Sequence, residues 1–539
     1  MTPTASLGMM RKFSSAHVAA GGTAMKRFIA RHQTQITGTL SGYDRMLFKG
    51  TLRSLSHVKG LDAFLGWKGV LLKDFGPFVE QASAEIKAHA ETFARDHGRP
   101  CLYLPSAQLV KEELAQRLAR QDSITEGLIG VFTCVEPCRS YTVRRDAPSR
   151  QLQLVKTDRK CLFVYFYFQD REFGLLHVRL QTWFPFDVQI CLNGRAWLAR
   201  QLDKRGIPYE RYDNGFLSLG DPARAQRVAD RLLKVRWVKL LAAYARRCHP
   251  LVRRGHLLAE QAYYWTLAQA EYATDLMFRD APSLAAVYTA LVRHAIQCFT
   301  AEDLLRFLGQ KLHGNFRGEV RSTVRRRPEG LRIRPWVGEN SLKMYDKGGR
   351  LLRIETTINN PRRFKAYRRA TRKGRRVMAW LPLRKGIADF WRRTELCRAA
   401  NARYLDALAV VGDPEPAAHV LDAVATPVRQ GTGRVRALRP IAPADSAVFQ
   451  AVLAGPALPH GFRNADLRAC LNPAVPPTSA EGRRLAAPTT RLLRLLRAHG
   501  LIQKVPSTRL YRVTPWGHKV MATALTFRQT AISVLNHVA

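Results

Sequence analysis

Acidic side chains are scarce in this sequence relative to basic ones. The 539 residues include 42 Asp and Glu against 87 Lys and Arg, which leaves a formal net charge of +45. A chain with such an excess of one sign would repel itself unless a polyanion neutralised it. Release of counterions would then drive binding to that polyanion, with a strong dependence on salt concentration. The charge balance therefore indicates a nucleic acid as partner.

The sequence also lacks a long apolar run and a secretory leader. Its longest apolar run, CLFVYFYF at 161–168, is far too short to span a bilayer. The first 24 residues contain no continuous apolar segment, so no signal peptide is predicted. Nine cysteines are scattered, and Cys134 and Cys138 have no second pair at zinc spacing. We therefore expect a cytoplasmic protein with no membrane partner, and the oligomeric state stays open.

The periodicity of apolar residues predicts both helices and strands. Hydrophobic residues make up 46% of the chain, which is enough to bury real cores and excludes a disordered polycation. Spacing of three to four residues indicates helices, whereas alternation with β-branched and aromatic residues indicates strands. The predicted helices cover 56–97, 105–121, 194–310 and 384–423, and the predicted strands cover 127–193 and 316–358.

These elements predict a multidomain α+β fold, in which a mixed body of helices and antiparallel sheet precedes a C-terminal winged helix. Its segments are a disordered N-terminal extension (1–25), an α+β body (26–310) with an antiparallel sheet at 127–193, a nucleic-acid-binding segment of basic β-hairpin and helices (311–423), a linker (424–460) and the winged helix (461–539).

The C-terminal tail carries the most informative order of elements. A short helix is predicted behind Asn464, and a second begins near Pro488 and ends at Gly500, where positive φ suits glycine. Two short strands, LIQKV and RLYRVT, follow and are joined by a turn. This order resembles the winged-helix domains of bacterial transcription regulators and mobile-element proteins. The resemblance implies that the tail binds duplex DNA.

The second helix of the tail has two different faces. Leu492, Leu495 and Leu496 share one face, and arginines lie opposite them at the same spacing. The leucines would fix the helix to its domain while the arginines meet phosphates or base edges. The alternative is a surface helix whose basic face is simply solvated. The predicted DNA contacts of the tail are Arg491, Arg494 and Arg497 on the helix and Arg509 and Arg512 on the hairpin.

A second concentration of positive charge lies upstream of the tail. The run PRRFKAYRRATRKGRR at 361–376 has nine basic residues in sixteen and no acid, and RSTVRRRPEGLRIR at 321–334 adds another. Because the two runs flank a predicted hairpin, they indicate a surface that tracks phosphates, although solvated loops are the alternative. The predicted nucleic-acid contacts here are Arg362, Arg363, Lys365, Arg368 and Arg369.

Aromatic side chains offer a further means of binding unpaired bases. The strings VYFYF and QTWFPF place Tyr165, Tyr167, Trp183 and Phe184 on strands of one predicted sheet. Aromatic strands with interleaved arginines can stack bases of single strands. The alternative is that these rings form the core of the sheet.

The hairpin SLKMYDKGGRLLRIETTIN at 341–359 carries the residues best suited to chemistry. Alternation places Lys343, Tyr345 and Lys347 on one face of its first strand, and Arg353 and Glu355 on one face of its second. If the turn at DKGG is tight, the two faces coincide. A tyrosine can attack a phosphodiester, a carboxylate can hold a divalent ion, and cations can stabilise the developing charge.

The strings KMYDK and LRIE resemble the tyrosine motif region of plasmid and phage rolling-circle replication initiators. The resemblance implies that Tyr345 is a nucleophile, that Lys347 contacts phosphate and that Glu355 ligates Mg²⁺ or Mn²⁺. The His-hydrophobic-His metal motif that usually accompanies this region is missing. The alternative is that Tyr345 packs locally or stacks on a base and Glu355 pairs with a neighbouring arginine.

Two further acids are candidates for a metal site. Glu271 and Asp275, in YYWTLAQAEYATDLMF, are four residues apart and share one face of a predicted helix. Two acids at that spacing can hold Mg²⁺ for phosphoryl transfer, as Glu355 could. The alternative is that they pair with some of the many arginines.

Over nearly its whole length after Met25, the chain is similar to a large set of basic bacterial proteins. They share segments such as GYDRMLFKGTLRS, EFGLLHVRLQTWFPF and NSLKMYDK, and this resemblance implies no activity. The sequence as a whole predicts a nucleic-acid-binding protein of mobile-element type, replication-initiator-like or transposase-like, that cuts DNA through Tyr345. Two alternatives stay open: a non-catalytic regulator or ribonucleoprotein subunit, and an RNA-guided nuclease that holds a structured RNA.

Overall fold

The computed structural model describes residues 25–297, 299, 301–310, 319–327, 330–372, 374–409, 411, 416–430, 433–454, 462–476, 479–505 and 508–529. Within these ranges the chain has one large sheet, four two-stranded sheets and many helices. The predicted multidomain α+β class is confirmed. The disordered extension expected over 1–25 lies outside the described residues, except for Met25.

The elements are numbered in chain order. The helices are α1 (Lys26–Arg31), α2 (Val58–Trp67), α3 (Phe75–Asp96), α4 (Lys111–Gln121), α5 (Gly194–Asp203), α6 (Pro222–Asp230), α7 (Trp237–Cys248), α8 (Ala281–Gln297), α9 (Ala301–Phe307), α10 (Phe390–Leu408), α11 (Ala417–Asp422), α12 (Pro443–Ala454), α13 (Asn464–Leu471), α14 (Ala480–Arg484), α15 (Ala486–Ala498) and α16 (Pro515–Gln529). The strands are β1 (Ile36–Leu52), β2 (Cys101–Leu104), β3 (Gly127–Arg145), β4 (Leu152–Asp170), β5 (Gly174–Gln181), β6 (Val188–Asn193), β7 (Tyr209–Tyr212), β8 (Gly215–Leu219), β9 (Tyr263–Phe278), β10 (Val320–Arg327), β11 (Gly330–Val337), β12 (Asn340–Lys347), β13 (Leu351–Thr357), β14 (Lys365–Arg372), β15 (Arg375–Pro382), β16 (Val428–Gln430), β17 (Gly433–Val435), β18 (Ile502–Lys504) and β19 (Tyr511–Val513).

The large sheet organises the body of the protein. Its strand order is β10-β11-β12-β13-β9-β1-β6-β5-β4-β3-β2. Neighbouring strands are antiparallel except β2 and β3, which are parallel. The predicted strands over 127–193 and 316–358 therefore belong to one sheet, and they flank the central pair of β1 and β9.

Helices cover the sheet because each has an apolar face to bury. In α3, Phe75, Val79, Ile86 and Ala90 recur at helical spacing and are buried in the main core. On α4 the buried face is small and joins a separate cluster with Phe132 on β3. The helices and the sheet of the body thus pack together around more than one apolar cluster.

The segment 194–310 contains strands that the sequence did not predict. We expected helices throughout, but β7, β8 and the 16-residue β9 lie within it. Helical periodicity was the wrong interpretation of β9 because its second half is buried on both faces, so the alternation of an amphipathic strand is lost. Glu271 and Asp275 therefore share the face of a strand, not of a helix.

The segment 424–460, expected to be a linker, is also different from the prediction. Its described part contains the hairpin β16–β17 and helix α12. Val424, Leu438 and Phe449 are buried in one apolar cluster with Leu496 of α15. The C-terminal unit therefore begins near Val420, because these apolar residues need the tail to cover them.

Candidate functional site

Charged side chains from three adjacent strands meet on one face of the large sheet. The register places Arg353 of β13 opposite Asp275 of β9 and opposite Tyr345 of β12. In the same way Lys343 lies opposite Glu355. Side chains two residues apart on a strand share a face, so the predicted coincidence of the two hairpin faces is confirmed.

The turn that brings these strands together depends on glycine. Gly348 and Gly349 both have positive φ, 65° and 73°, between the end of β12 and the start of β13. A Cβ on Gly348 would lie 2.9 Å from the ring of Tyr212. The DKGG string thus forms the predicted turn and also lets the β7–β8 hairpin approach it closely.

The centre of this face is a fully buried arginine held by carboxylates. Arg353 Nε and Nη2 donate to the two oxygens of Asp275 at 2.6 and 2.9 Å. Arg195, at the start of α5, lies 3.0 Å from Asp275 Oδ2. Burial alone would raise the pKa of Asp275, but Arg195 and Arg353 hold it below its usual value. Asp275 is therefore an ionised partner of two arginines.

Asp44 reaches the same arginine from β1. The pairing of β1 with β9 shifts register between Tyr43 and Met46, and such bulges re-aim side chains. Arg353 Nη1 lies 3.2 Å from Asp44 Oδ2, and the amide of Asn214 also donates to that oxygen. Burial raises the pKa of Asp44 to about 6, although Arg353 opposes the shift. Asp44 therefore holds its proton to a higher pH than an ordinary aspartate does.

The second charged group surrounds Lys343. Its ammonium lies 2.5 Å from Glu355 Oε1 and 3.1 Å from Glu271 Oε1, so it bridges the two carboxylates. The hydroxyl of Tyr345 donates to the other oxygen of Glu355 at 3.3 Å. Burial raises the pKa of Tyr345 well above its usual value. Of the residues predicted for catalysis, Tyr345 and Glu355 are thus in contact.

Lys347 belongs to a different contact. Its ammonium lies 2.6 Å from Asp213 Oδ2 and also donates to the side chain of Asn214. Both partners come from the turn between β7 and β8, where Asp213 has positive φ. Lys347, which was predicted to contact phosphate, is therefore already paired with the carboxylate of Asp213.

The acids proposed as metal ligands do not form one donor set. Asp275 is held by two arginines, whereas Glu271 and Glu355 share the ammonium of Lys343. Among the residues described here, no group of three or more His, Cys, Asp or Glu side chains is arranged to hold a metal ion. These residues therefore fit ion pairs better than Mg²⁺ or Mn²⁺.

The C-terminal tail has the order of elements that the sequence predicted. Helices α13 and α15 precede the hairpin β18–β19, and α16 follows it. On α15, Leu495 and Leu496 are buried and Leu492 packs against the same core. The predicted DNA contacts lie on the outer surface: Arg491, Arg494 and Arg497 on α15, and Arg509 and Arg512 on or next to the hairpin, are all exposed.

The basic run at 361–376 lies largely on the separate hairpin β14–β15. Most of the predicted contacts are on its surface: Arg362, Arg363, Lys365 and Arg369 are exposed, whereas Arg368 is partly buried and lies 2.8 Å from Asp389.

The aromatic strands around Tyr165 and Tyr167 do not offer rings to a ligand, because both rings are buried in the sheet. Those rings form a core, as the alternative interpretation had it.

Two residues of the charged face had no signal in the sequence. Arg195 and Asn214 come from segments that were expected to be part of a helical region. Arg195 is fully buried on α5 and Asn214 lies in a tight turn. Asn214 contacts Arg353, and Arg195 contacts Asp275 beside it, across segments that lie far apart in the sequence.

Comparisons of the chain with protein-family models, with curated proteins and with solved structures gave no match.

Proposed function

We propose that this chain is a nucleic-acid-binding protein of mobile-element type that docks on duplex DNA through its C-terminal unit. The observation that carries the proposal is the outer face of α15, where Arg491, Arg494 and Arg497 are exposed above a buried leucine seam. Arginines in one row on a helix suit the major groove and its phosphates. The winged-helix interpretation of the tail belongs to this proposal.

The rest of the surface supports a polyanionic ligand. Exposed arginines extend along β10 at one edge of the large sheet and along the hairpin β14–β15. In the described part of the chain, no helix combines the length and apolarity needed to cross a bilayer. We propose a cytoplasmic protein whose cations neutralise a nucleic acid, since a charge of +45 needs a counterpart.

A salt titration of the full chain tests this proposal. Affinity for a labelled duplex should fall steeply with salt, with a slope of about −0.9 for each phosphate neutralised. Binding should persist at physiological ionic strength. A chain that bound neither DNA nor RNA under those conditions would overturn the proposal.

Strand cleavage is a second candidate function, favoured by the contact between Tyr345 and Glu355. In the proposed step the Tyr345 oxygen bonds to phosphorus while Glu355 accepts the hydroxyl proton. The bond from phosphorus to the bridging oxygen of the leaving strand breaks, and water supplies the proton for that oxygen. The products are a phosphotyrosine linkage and a strand with a free hydroxyl. Lys343, 2.5 Å from Glu355, is positioned to offset negative charge.

The nucleic acid that accompanies the purified chain separates the remaining alternatives. Bound RNA of one defined length favours an RNA-guided nuclease or a ribonucleoprotein subunit. Duplex binding with no cleavage product favours a non-catalytic regulator. A covalent protein–DNA adduct favours the replication-initiator-like or transposase-like function.

A further inference from the structure

We propose that the hairpin β14–β15 is a platform on which unpaired bases of a single-stranded nucleic acid stack, through Tyr367 and Trp380. The inference rests on the proposed function, because it assigns part of the nucleic-acid binding to one surface. It adds the form of the ligand: a single strand at this hairpin, in contrast to the duplex at α15.

The two rings lie side by side on the outer face of the hairpin. Tyr367 of β14 is the register partner of Trp380 of β15, and their ring centroids are 5.4 Å apart. Tyr367 is 43% exposed and Trp380 is 49% exposed. Large aromatic side chains usually bury more of their surface than these two rings do.

The inner face of the same hairpin explains why the rings point outward. Ala366 and Ala379 are buried, and the ring-bearing positions alternate with them along the strands. Arg368, on the inner side, lies 2.8 Å from Asp389 and donates to the carbonyl of Pro382 at 2.9 Å. The hairpin is therefore fixed at its base, so the outer rings are held and not free to fold inward.

Cations surround the rings on the outer face. Lys365, Arg369 and Arg376 are exposed and belong to the same register face as the rings. The guanidinium of Arg392, on α10, lies 5.6 Å from the centroid of the Trp380 ring. No Asp or Glu occurs between 361 and 388. A ligand of this face must therefore be both anionic and aromatic.

A basic groove continues from the base of the hairpin. It has a volume of about 700 Å³. Its lining contains four cations and one carboxylate, contributed by Arg362, Arg368, Arg384, Lys385 and Glu339. Burial and the nearby charge of Arg393 lower the pKa of Lys385. The groove is thus a concentration of positive charge that an anion would relieve. Stacking rings beside a cationic groove match the alternation of base and phosphate along a single strand.

Single strands fit this surface better than a duplex does. The π-faces of bases are available to protein rings only where the bases are unpaired, since a duplex stacks them on one another. Oligothymidine is therefore the probe of choice, because it forms no stable duplex with itself.

The test compares binding of the full chain to an oligothymidine of about 20 nucleotides and to a duplex of equal length. The double variant Tyr367→Ala, Trp380→Ala should bind the oligothymidine roughly tenfold to a hundredfold more weakly and bind the duplex almost unchanged. The variant Tyr367→Phe, Trp380→Phe keeps both rings and should retain most of the affinity. The slope of affinity against salt should stay the same in both variants, because the cations remain.

The matched control is Trp67→Ala with Tyr103→Ala, which removes a tryptophan and a tyrosine that are 58% and 61% exposed elsewhere on the surface. It should bind the oligothymidine as the parent chain does. The inference would be overturned if the Tyr367→Ala, Trp380→Ala variant bound the oligothymidine with the same affinity as the parent. A parent chain that binds only duplex would also overturn it and leave the proposed function standing, whereas one that binds no nucleic acid would defeat both. Loss of binding to phosphatidylserine vesicles, without loss for oligothymidine, would identify a membrane surface instead and overturn it as well.

Discussion

Arg353 and Asp275 form a two-point ion pair between β13 and β9, with nitrogen–oxygen distances of 2.6 and 2.9 Å and no exposure of either side chain. The pair joins residues 78 positions apart in the sequence. Because an ion inside a protein is costly unless it is paired, each partner fixes the position of the other. The charged face of the sheet is therefore organised around this contact.

Replacing Arg353 with Met should strongly destabilise the body of the protein. The change leaves Asp275 with Arg195 alone and takes from Asp44 its nearest cation. Loss of one partner of a buried pair typically costs about 3–5 kcal/mol of unfolding free energy. Urea unfolding followed by circular dichroism measures the loss.

The control for that variant is Arg350→Met, which changes the residue immediately before β13. Arg350 lies 3.1 Å from Glu210, and the two side chains are 31% and 51% exposed, whereas Arg353 and Asp275 are fully buried. Exposed pairs contribute only about 0–1 kcal/mol, so this variant should unfold close to the parent. Similar losses for Arg350→Met and Arg353→Met would argue against the importance of burial at Arg353.

Asp44 should make the stability of the body depend on pH. Its pKa is 3.8 in an ordinary setting and about 6 in the folded chain, so the folded state retains a proton that the unfolded state releases. The resulting stabilisation is complete below pH 3.8 and is lost as the pH rises through about 6. The difference corresponds to roughly 3 kcal/mol.

Asp44→Asn removes this titration while keeping an acceptor oxygen for Arg353. Measured against the parent, the Asn variant should gain unfolding free energy as the pH rises from about 4 to about 7. Urea unfolding at several pH values gives the comparison. Parallel curves for the two proteins would show that Asp44 is already ionised at low pH.

Arg491→Ala combined with Arg494→Ala should weaken duplex binding. Each side chain contributes about 1–3 kcal/mol if it contacts base edges, so the double variant should lose at least tenfold in affinity. A gel-shift titration at fixed salt measures the change. The matched control is Arg117→Ala with Arg120→Ala, two exposed arginines three residues apart on α4. An equal loss in the control would mean that net charge, and not the tail, determines affinity.

Tyr345→Phe should abolish any covalent adduct with DNA and leave binding intact. Phenylalanine keeps the ring between its neighbours and removes only the hydroxyl that donates to Glu355 at 3.3 Å. Denaturing gels with labelled single-stranded DNA, with and without Mg²⁺, detect the adduct and any requirement for metal. Nicking that survives in Tyr345→Phe would assign cleavage to another residue, and the absence of nicking in the parent would favour the non-catalytic alternative.

Local patterns in the sequence were enough to predict the hairpin around Tyr345. Alternation fixed which of its residues share a face, and the two glycines fixed the turn, because both features depend only on neighbouring residues. The two faces of α15 followed in the same way from helical spacing. Features that depend only on neighbouring residues, such as a glycine turn or the faces of a helix, can therefore be predicted from the sequence.

The two carboxylates that pair with Arg353 could not be predicted from local patterns in the sequence. Asp275 lies on a strand covered on both faces, and its sequence lacks the alternation that would have indicated a strand. Asp44 is turned toward the arginine by a bulge, which no local pattern predicted. The sequence did not indicate a role for Tyr367 and Trp380, because the many basic residues around them predict only a surface that contacts phosphates.

The position of β10 at the edge of the large sheet has a consequence for the behaviour of the protein in concentrated solution. An edge strand has unpaired backbone groups that invite a strand from another molecule. Exposed Arg321, Arg325 and Arg326 line this edge, so two copies approaching edge to edge would repel each other, and the opposite edge, β2, has only four residues. A bound polyanion would screen that repulsion, which makes self-association through β10 a risk that rises when the arginines are neutralised.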